Sequence, residues 1–325
     1  MSIKNIKEEI LKSKKIGLSF HTSPDGDAIG SVLSLLKALR SIGKEAYIIS
    51  RDVIPDNLSF LSLSEEIDGN TLEPDSNTDL VIVMDCGNVE RISANLDKYS
   101  GKIINIDHHL SNEEYGFINY VDPTAAATAE ISYLLIKELG IDFNKKTPLE
   151  IDIAKAIYTS LVTDTGSFRH SNVTKRTHAI ASELIELGID NSKIHSNLFD
   201  NRDFNKIKLM GYVLSNLELA LGNKVAVMQI PKNILEEFDL VNSDTSDVIS
   251  IGLGIKGVEV ALLLKDSEKG IKISLRSKND VDVRKVAERY GGGGHTKAAG
   301  ALQKDVDLEG AKSNLLKTLK EEMKL

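Results

Sequence analysis

A single cysteine, Cys86, is the only thiol in this chain, so no internal disulfide framework can brace it, and a reducing compartment suits it. Tryptophan is absent and aromatic residues make up 5% of the sequence, too few for an extended base-stacking platform. No run approaches the ~18 apolar residues of a membrane span. The opening MSIKNIKEEILKSKK is charged and helix-like and lacks the apolar core of a secretion signal, so the cytoplasm is the expected location. A basic excess is also missing: 40 Lys and Arg stand against 48 Asp and Glu, a net charge of −8. A chain of this charge does not hold long nucleic acid by its general field, and an anionic substrate would need a local source of positive charge. Bound metal cations would provide one.

The composition that remains, 41% hydrophobic and 27% charged over 325 residues, is that of a globular protein of about two domains. Short apolar runs, IGLSF at 16–20, DLVIVMD at 79–85 and KIINID at 102–107, alternate with helical stretches. YGFINYVD reads as a further strand. This pattern predicts an α/β fold, a parallel sheet covered on both faces and flanked by helices. Helices are expected at 125–139 and 148–163 and over TKRTHAIASELIELG, which ends at Gly188. The reading divides the chain into a first domain at 1–190, a polar helical connector at 191–222 and a smaller α/β domain at 223–325.

Three strands deliver carboxylates into the loops that follow them. IGLSF leads to His21, Asp25 and Asp27, DLVIVM to Asp85, and KIINI to Asp107, His108 and His109. Loops at the carboxyl ends of parallel strands converge, so residues distant in sequence meet there. Asp164, in LVTDTGSF, follows a helix and is a fourth candidate. Taken singly, an Asp at a strand end is most often a helix cap. Together they offer more imidazoles and carboxylates than one cation needs, a set suited to a pair of divalent metals sharing a bridging carboxylate. Gly26 lets the HTSPDGD loop turn tightly, so Asp25 and Asp27 can address different metals, and Asp85 is placed to bridge. His170, His178 and His195 lack acidic companions and read as surface or core residues.

A second unusual stretch is YGGGGHTKAAG at 290–300. A flexible linker would carry serines and stand apart from secondary structure. Here glycine amides, with His295, suit an anion-binding nest, and Arg276, at the end of an upstream strand, offers a planar fork for phosphate.

HTSPDGDAIGS, VMDCGNVERI, NIDHH and LVTDTGSF resemble the four motifs of the DHH phosphoesterase superfamily, and GGGGHTKAAGA resembles the motif of its DHHA1-type second domain. They occur in the family's order over nearly the whole chain, and most resemble the oligoribonuclease, or nanoRNase, branch. The resemblance implies metal-dependent hydrolysis of very short RNA and of adenosine 3′,5′-bisphosphate (pAp), typically with manganese, in a DHH catalytic domain followed by a DHHA1 substrate-binding domain. It implies His21, Asp25 and Asp85 as ligands of one metal and Asp27, Asp85, His108 and Asp164 as ligands of another. His109 would face the scissile phosphate, with Asp107 orienting a histidine. Arg91, Arg276 and the cluster containing Gly293, Gly294 and His295 would bind phosphate or nucleotide. Short RNA and small nucleotides are the expected partners, with neither long nucleic acid nor membrane, and a homodimer is compatible with the sequence. A phosphodiesterase of cyclic di-AMP or pApA would use the same motifs and is the alternative reading.

Overall fold

The computed structural model describes residues 2–201, 203–241 and 245–325, the side chains of 246 and 247 excepted, so position 202 of the expected connector lies outside the described residues. The chain divides into two units, Met1–Asn201 and Arg202–Leu325.

The first unit runs α1 (Ile3–Lys12), β1 (Lys15–Ser19), α2 (Gly26–Ser41), β2 (Glu45–Ile48), β3 (Leu80–Met84), β4 (Lys102–Asp107), β5 (Ile118–Val121), α3 (Thr128–Glu138), α4 (Pro148–Asp164), α5 (Lys175–Glu186) and α6 (Asn191–Phe199). Its five strands are all parallel, in the order β2-β1-β3-β4-β5. From β1 the chain goes out to one side and returns to the other, so the order switches between β1 and β3, where open α/β sheets form their ligand crevice. β3 has no exposed residue, as a central parallel strand requires. The sheet is covered on both faces, but by different material. Leu18, Ile82, Met84, Ile104 and Ile106 pack against helical residues such as Ile6, Leu33, Leu36, Ile131 and Ile157. On the opposite face, Val81 and Val83 join a smaller cluster with Ile49, Cys86, Ile92 and Ala94. That face is roofed by chain without an α-helix, since none occurs between α2 and α3. α2 and α4 cross in close contact because Gly30 has no side chain: a Cβ there would meet the Ala156 carbonyl oxygen and stand 2.9 Å from the Ser160 Cβ.

The second unit runs α7 (Phe204–Ser215), β6 (Glu218–Ala220), β7 (Val225–Ile230), α8 (Lys232–Glu237), α9 (Ser246–Leu253), β8 (Val260–Ser267), β9 (Gly270–Ser277), α10 (Val283–Glu288), β10 (Gly293–His295), β11 (Ala298–Gln303) and α11 (Leu308–Glu322). Its six-stranded sheet has the order β10-β11-β9-β8-β7-β6, with only β7 and β8 parallel among the described strands. Ile271, Ile273 and Leu275 face the core formed with α10 and α11. Of the two helices in the expected connector, α6 buries Ile194 and Leu198 in the first core, and α7 buries Leu209 and Val213 in the second unit.

Candidate metal centre

His21 is the second residue after β1, and its backbone pairs with Ile92 in an isolated bridge. The Thr22 amide donates to the Arg91 carbonyl at 2.6 Å, and Ser23, at φ 56°, donates its amide to Asp52 at 3.1 Å. These contacts fix the loop that carries His21 and Asp25. Asp25 caps α2, one oxygen accepting from the Asp27 and Ala28 amides at 3.0 and 3.1 Å. The capping reading of a lone Asp is therefore correct for Asp25, yet the carboxylate still lies 3.7 Å from the His21 Nε2. Asp85 immediately follows β3 at φ 54°, a left-handed conformation that turns the chain sharply and that Asp tolerates better than most residues.

The histidine orientations decide what the centre can hold. His21 Nδ1 is 2.9 Å from the Thr22 carbonyl and His108 Nδ1 is 3.2 Å from the Ala125 carbonyl, so each Nδ1–H donates to backbone and each Nε2 presents a lone pair. His21 Nε2 points between Asp25 and Asp85, the Asp85 Oδ2 being 3.5 Å away. His108 Nε2 points among Asp27, Asp85 Oδ1 and Asp164, at 3.6, 3.8 and 3.6 Å. These separations exceed hydrogen bonds and approach the roughly 3 Å spacing of ligand atoms placed about 2.1 Å from one cation. Two groupings, His21–Asp25–Asp85 and Asp27–His108–Asp164, each have ligand atoms within 4.8 Å of one another, and the two Asp85 oxygens face one grouping each.

The electrostatics fit a cation. Asp27 is driven well above the ordinary carboxylate range by burial and by the charges of Asp85, Asp164 and Asp25. Burial and the neighbouring acids likewise push Asp164 up to about 6, against the charge of His108. For His21, burial works against the charged form, but the adjacent carboxylates of Asp25 and Asp85 outweigh that and raise it to about 10. Without metal, protons must therefore supply the positive charge that the donor set calls for. Mixed imidazole and carboxylate donors suit manganese, iron, cobalt or zinc better than magnesium or calcium.

His109 belongs to a third grouping of ligand atoms, Asp85–His108–His109, its Nδ1 standing 3.5 Å from Asp85 Oδ1, but its nearest partner is Asp107. Its Nδ1 lies 2.7 Å from Asp107 Oδ1, which leaves Nε2 directed elsewhere, and the ring is partly exposed. The Asp107 bond raises the affinity of His109 for a proton, although burial opposes it. Asp107 is wholly buried, and burial favours its neutral form, yet His109 and Asn112 hold it below its usual range.

Several supporting residues escaped the sequence reading. Asn112 donates to Asp107 Oδ2 at 2.6 Å and to Asn105 Oδ1 at 2.7 Å, and buried Asn105 donates to the Tyr115 hydroxyl at 2.9 Å. Asp27 accepts from the hydroxyls of Ser31 and Ser160 and from the amides of Thr128 and Ala129. The Thr128 hydroxyl donates to Asp85 Oδ1 at 3.0 Å. The local signal for Ser31, Thr128 and Ser160 was slight, since their helices carry other polar residues as well. Of the expected phosphate-binding residues, exposed Arg91 stands beside the His21 loop. Arg276, Gly293, Gly294 and His295 belong to the second unit. There the glycine cluster is a strand, β10, with His295 paired to Ala298 and Ala298 paired to Arg276. Directly paired residues share a sheet face, so His295 and Arg276 flank a single methyl group.

Fold and site together define an α/β domain carrying a carboxylate–imidazole centre, able to hold metal, at the switch point of a parallel sheet. Residues 15–161 match the model of the DHH family, N-terminal domain, and residues 222–325 match that of the DHHA1 domain. The chain is 34% identical over 319 residues, 97% of its length and 93% of the relative's, to the bifunctional oligoribonuclease and PAP phosphatase NrnA of Thermus thermophilus. It is 34% identical to the protein of the same name from Bacillus subtilis, covering 86% of this chain and 87% of that one. A crystal structure of an exopolyphosphatase-related protein from Bacteroides fragilis superposes with a TM-score of 0.88 at 30% identity, covering 98% of this chain and 95% of the other. The chain belongs to the DHH family, with a DHHA1 domain as its second unit. No helix among the described residues is long and apolar enough to cross a membrane.

Proposed function

We propose that this chain is a hydrolase that uses two divalent cations, manganese by preference, to cleave short oligoribonucleotides to mononucleotides and to convert pAp to AMP. The observation that carries the reading is Asp85, whose two oxygens face separate ligand groupings across the crevice. The substrate class is supported by the two bifunctional relatives, matched over most of their length.

Bound cations supply charge that polarises a phosphoryl oxygen and lowers the pKa of water toward neutrality. The residues of the chain do the rest. His21, Asp25 and Asp85 hold one cation, and Asp27, Asp85, His108 and Asp164 the other. His109, its Nδ1 held by Asp107, presents Nε2 to a phosphoryl or leaving oxygen, and the Asp107 bond favours the protonated ring that can donate there. Arg91 in the first unit, and Arg276, His295 and the Gly293–Gly294 amides in the second, bind the remaining phosphates and nucleotide.

The test is a turnover panel of pAp, RNAs of two to ten nucleotides, pApA, cyclic di-AMP and pyrophosphate, each with manganese, magnesium, cobalt and zinc. Release of AMP and mononucleotides, faster with manganese than with magnesium, is expected. Preferential cleavage of cyclic di-AMP or pApA would transfer the assignment to the cyclic-dinucleotide reading.

A further inference from the structure

The ligands proposed for the second cation come from distant parts of the chain, yet one short segment touches all of them except Asp164. In residues 125–129, Ala-Ala-Ala-Thr-Ala, the Ala125 carbonyl accepts from His108 Nδ1 at 3.2 Å. The Thr128 and Ala129 amides donate to Asp27 at 2.7 and 3.1 Å, and the Thr128 hydroxyl donates to Asp85. Asp164 alone lacks a direct contact to the segment in this set, and Asn172 supplies the link. Its Nδ2 donates to the Ala126 carbonyl at 2.9 Å and to the Asp164 carbonyl at 3.2 Å. The two hydrogens of one amide thus join the end of α4 to the segment that registers His108, Asp27 and Asp85.

The backbone between Asp164 and Asn172 fits such a role. Gly166, Ser167 and Phe168 are all left-handed, at φ 54°, 61° and 62°. Consecutive non-glycine residues in this region persist only where surrounding contacts impose them. The Phe168 amide donates to the Thr165 hydroxyl at 2.9 Å, its ring stacks on His178, and the Ser167 hydroxyl lies 2.9 Å from His195 Nε2. The tight turn brings Asn172 back beneath Asp164. Asn172 Oδ1 is buried without a partner, so the position retains an amide at the expense of an unsatisfied acceptor, and the donors are what it contributes.

We propose that Asn172 is a positioning residue for the second cation, clamping Asp164 to the 125–129 segment so that Asp164, His108 and Asp27 keep a common centre. The inference rests on the two-cation reading above. The experiment measures manganese binding to the full chain, by calorimetry and by electron paramagnetic resonance, for wild type, Asn172→Ala, Asn172→Asp and His170→Ala. Loss of an outer partner of a metal ligand typically weakens affinity by about 10- to 100-fold. One of the two cations should weaken by that factor in Asn172→Ala, and more in Asn172→Asp, whose carboxylate faces two carbonyls without hydrogens to donate. The other cation should bind as in wild type, which general loosening of the fold would not allow. His170→Ala removes a second donor to the Asp164 carbonyl, at 3.3 Å, that has no link to Ala126, and should leave both affinities within about threefold. Two cations bound with unchanged affinity in folded Asn172→Ala would overturn the proposal, as would equal weakening of both. A wild type that binds fewer than two would instead overturn the two-cation reading, and this assignment with it.

Discussion

Asp85 and Asp107 are both buried carboxylates at the ends of neighbouring strands, and their environments give them different work. Asp85 faces two groupings of ligand atoms, whereas Asp107 spends its oxygens on the His108 and His109 amides, the His109 ring and Asn112. Asp85→Asn should therefore leave at most one tightly held cation per chain. Asp107→Asn should keep both and lose about 10- to 100-fold in kcat/KM, as outer partners typically do. Metal content measured beside turnover of pAp decides this, and equal residual turnover for both variants at saturating manganese would refute it. The candidate ligands were legible in the sequence because each sits in a tight motif, at the end of a strand or, for Asp164, at the end of α4. Their supports were not: Ser160 reaches Asp27 across 133 residues and Thr128 reaches Asp85 across 43, and pairings of that range leave no local pattern.

At the level of elements, the parallel strands were readable because burial on both faces demands unbroken apolar runs. The hairpin of β10 and β11 was not, since glycine and alanine carry no strand preference of their own and reveal a strand only through their pairing. That hairpin separates two glycines that the sequence treats alike. A Cβ at Gly293 meets nothing within 4 Å, whereas Gly294 is at φ 137° and a Cβ there would come within 2.5 Å of the Ala298 carbonyl. Gly293→Ala should fold normally and report on anion binding by a raised KM, while Gly294→Ala should disrupt the hairpin itself. Thermal unfolding paired with kinetics on a dinucleotide separates the two outcomes. The helix crossing is as exacting. Gly30→Ala should cost about 1–3 kcal/mol in stability by forcing α2 and α4 apart. Because the displaced helix carries Ser160 and Asp164, the same change should weaken manganese binding, which titration of the folded protein would detect.

For the molecule as a whole, the centre makes stability depend on pH and metal together. Asp164 titrates near 6 in the fold against 3.8 ordinarily, and Asp27 is raised as well. The folded chain therefore holds more protons than the unfolded chain between those values, and metal-free stability must fall as pH rises through that window. His21 acts in the same sense at higher pH, its contribution complete below 6.5 and lost as pH rises toward about 10. Melting temperatures of chelator-treated protein should decline from pH 4 to pH 7, and manganese should reverse the trend. A metal-free melting temperature that climbs over this range would contradict the charge balance described. A net charge of −8 and the lack of tryptophan also argue for small substrates. RNAs of two to five nucleotides should be turned over at least about tenfold faster than a 24-nucleotide strand at the same 5′ sequence, which a gel-based time course would measure.

Asp27 has a consequence for how the proposed centre would exchange a cation. Its carboxylate accepts from two hydroxyls and two amides of the protein, and those amides are the first two of α3, so the residue closes the start of a helix whether or not a cation is near. A ligand anchored in this way does not need the ion to hold it in place. Departure of a cation would leave that anchored carboxylate in place, and the next ion would find its seat by diffusion rather than by waiting for the chain to refold around it. Changing the manganese supply should then retune the population of loaded enzyme within seconds, with no unfolded chain produced along the way.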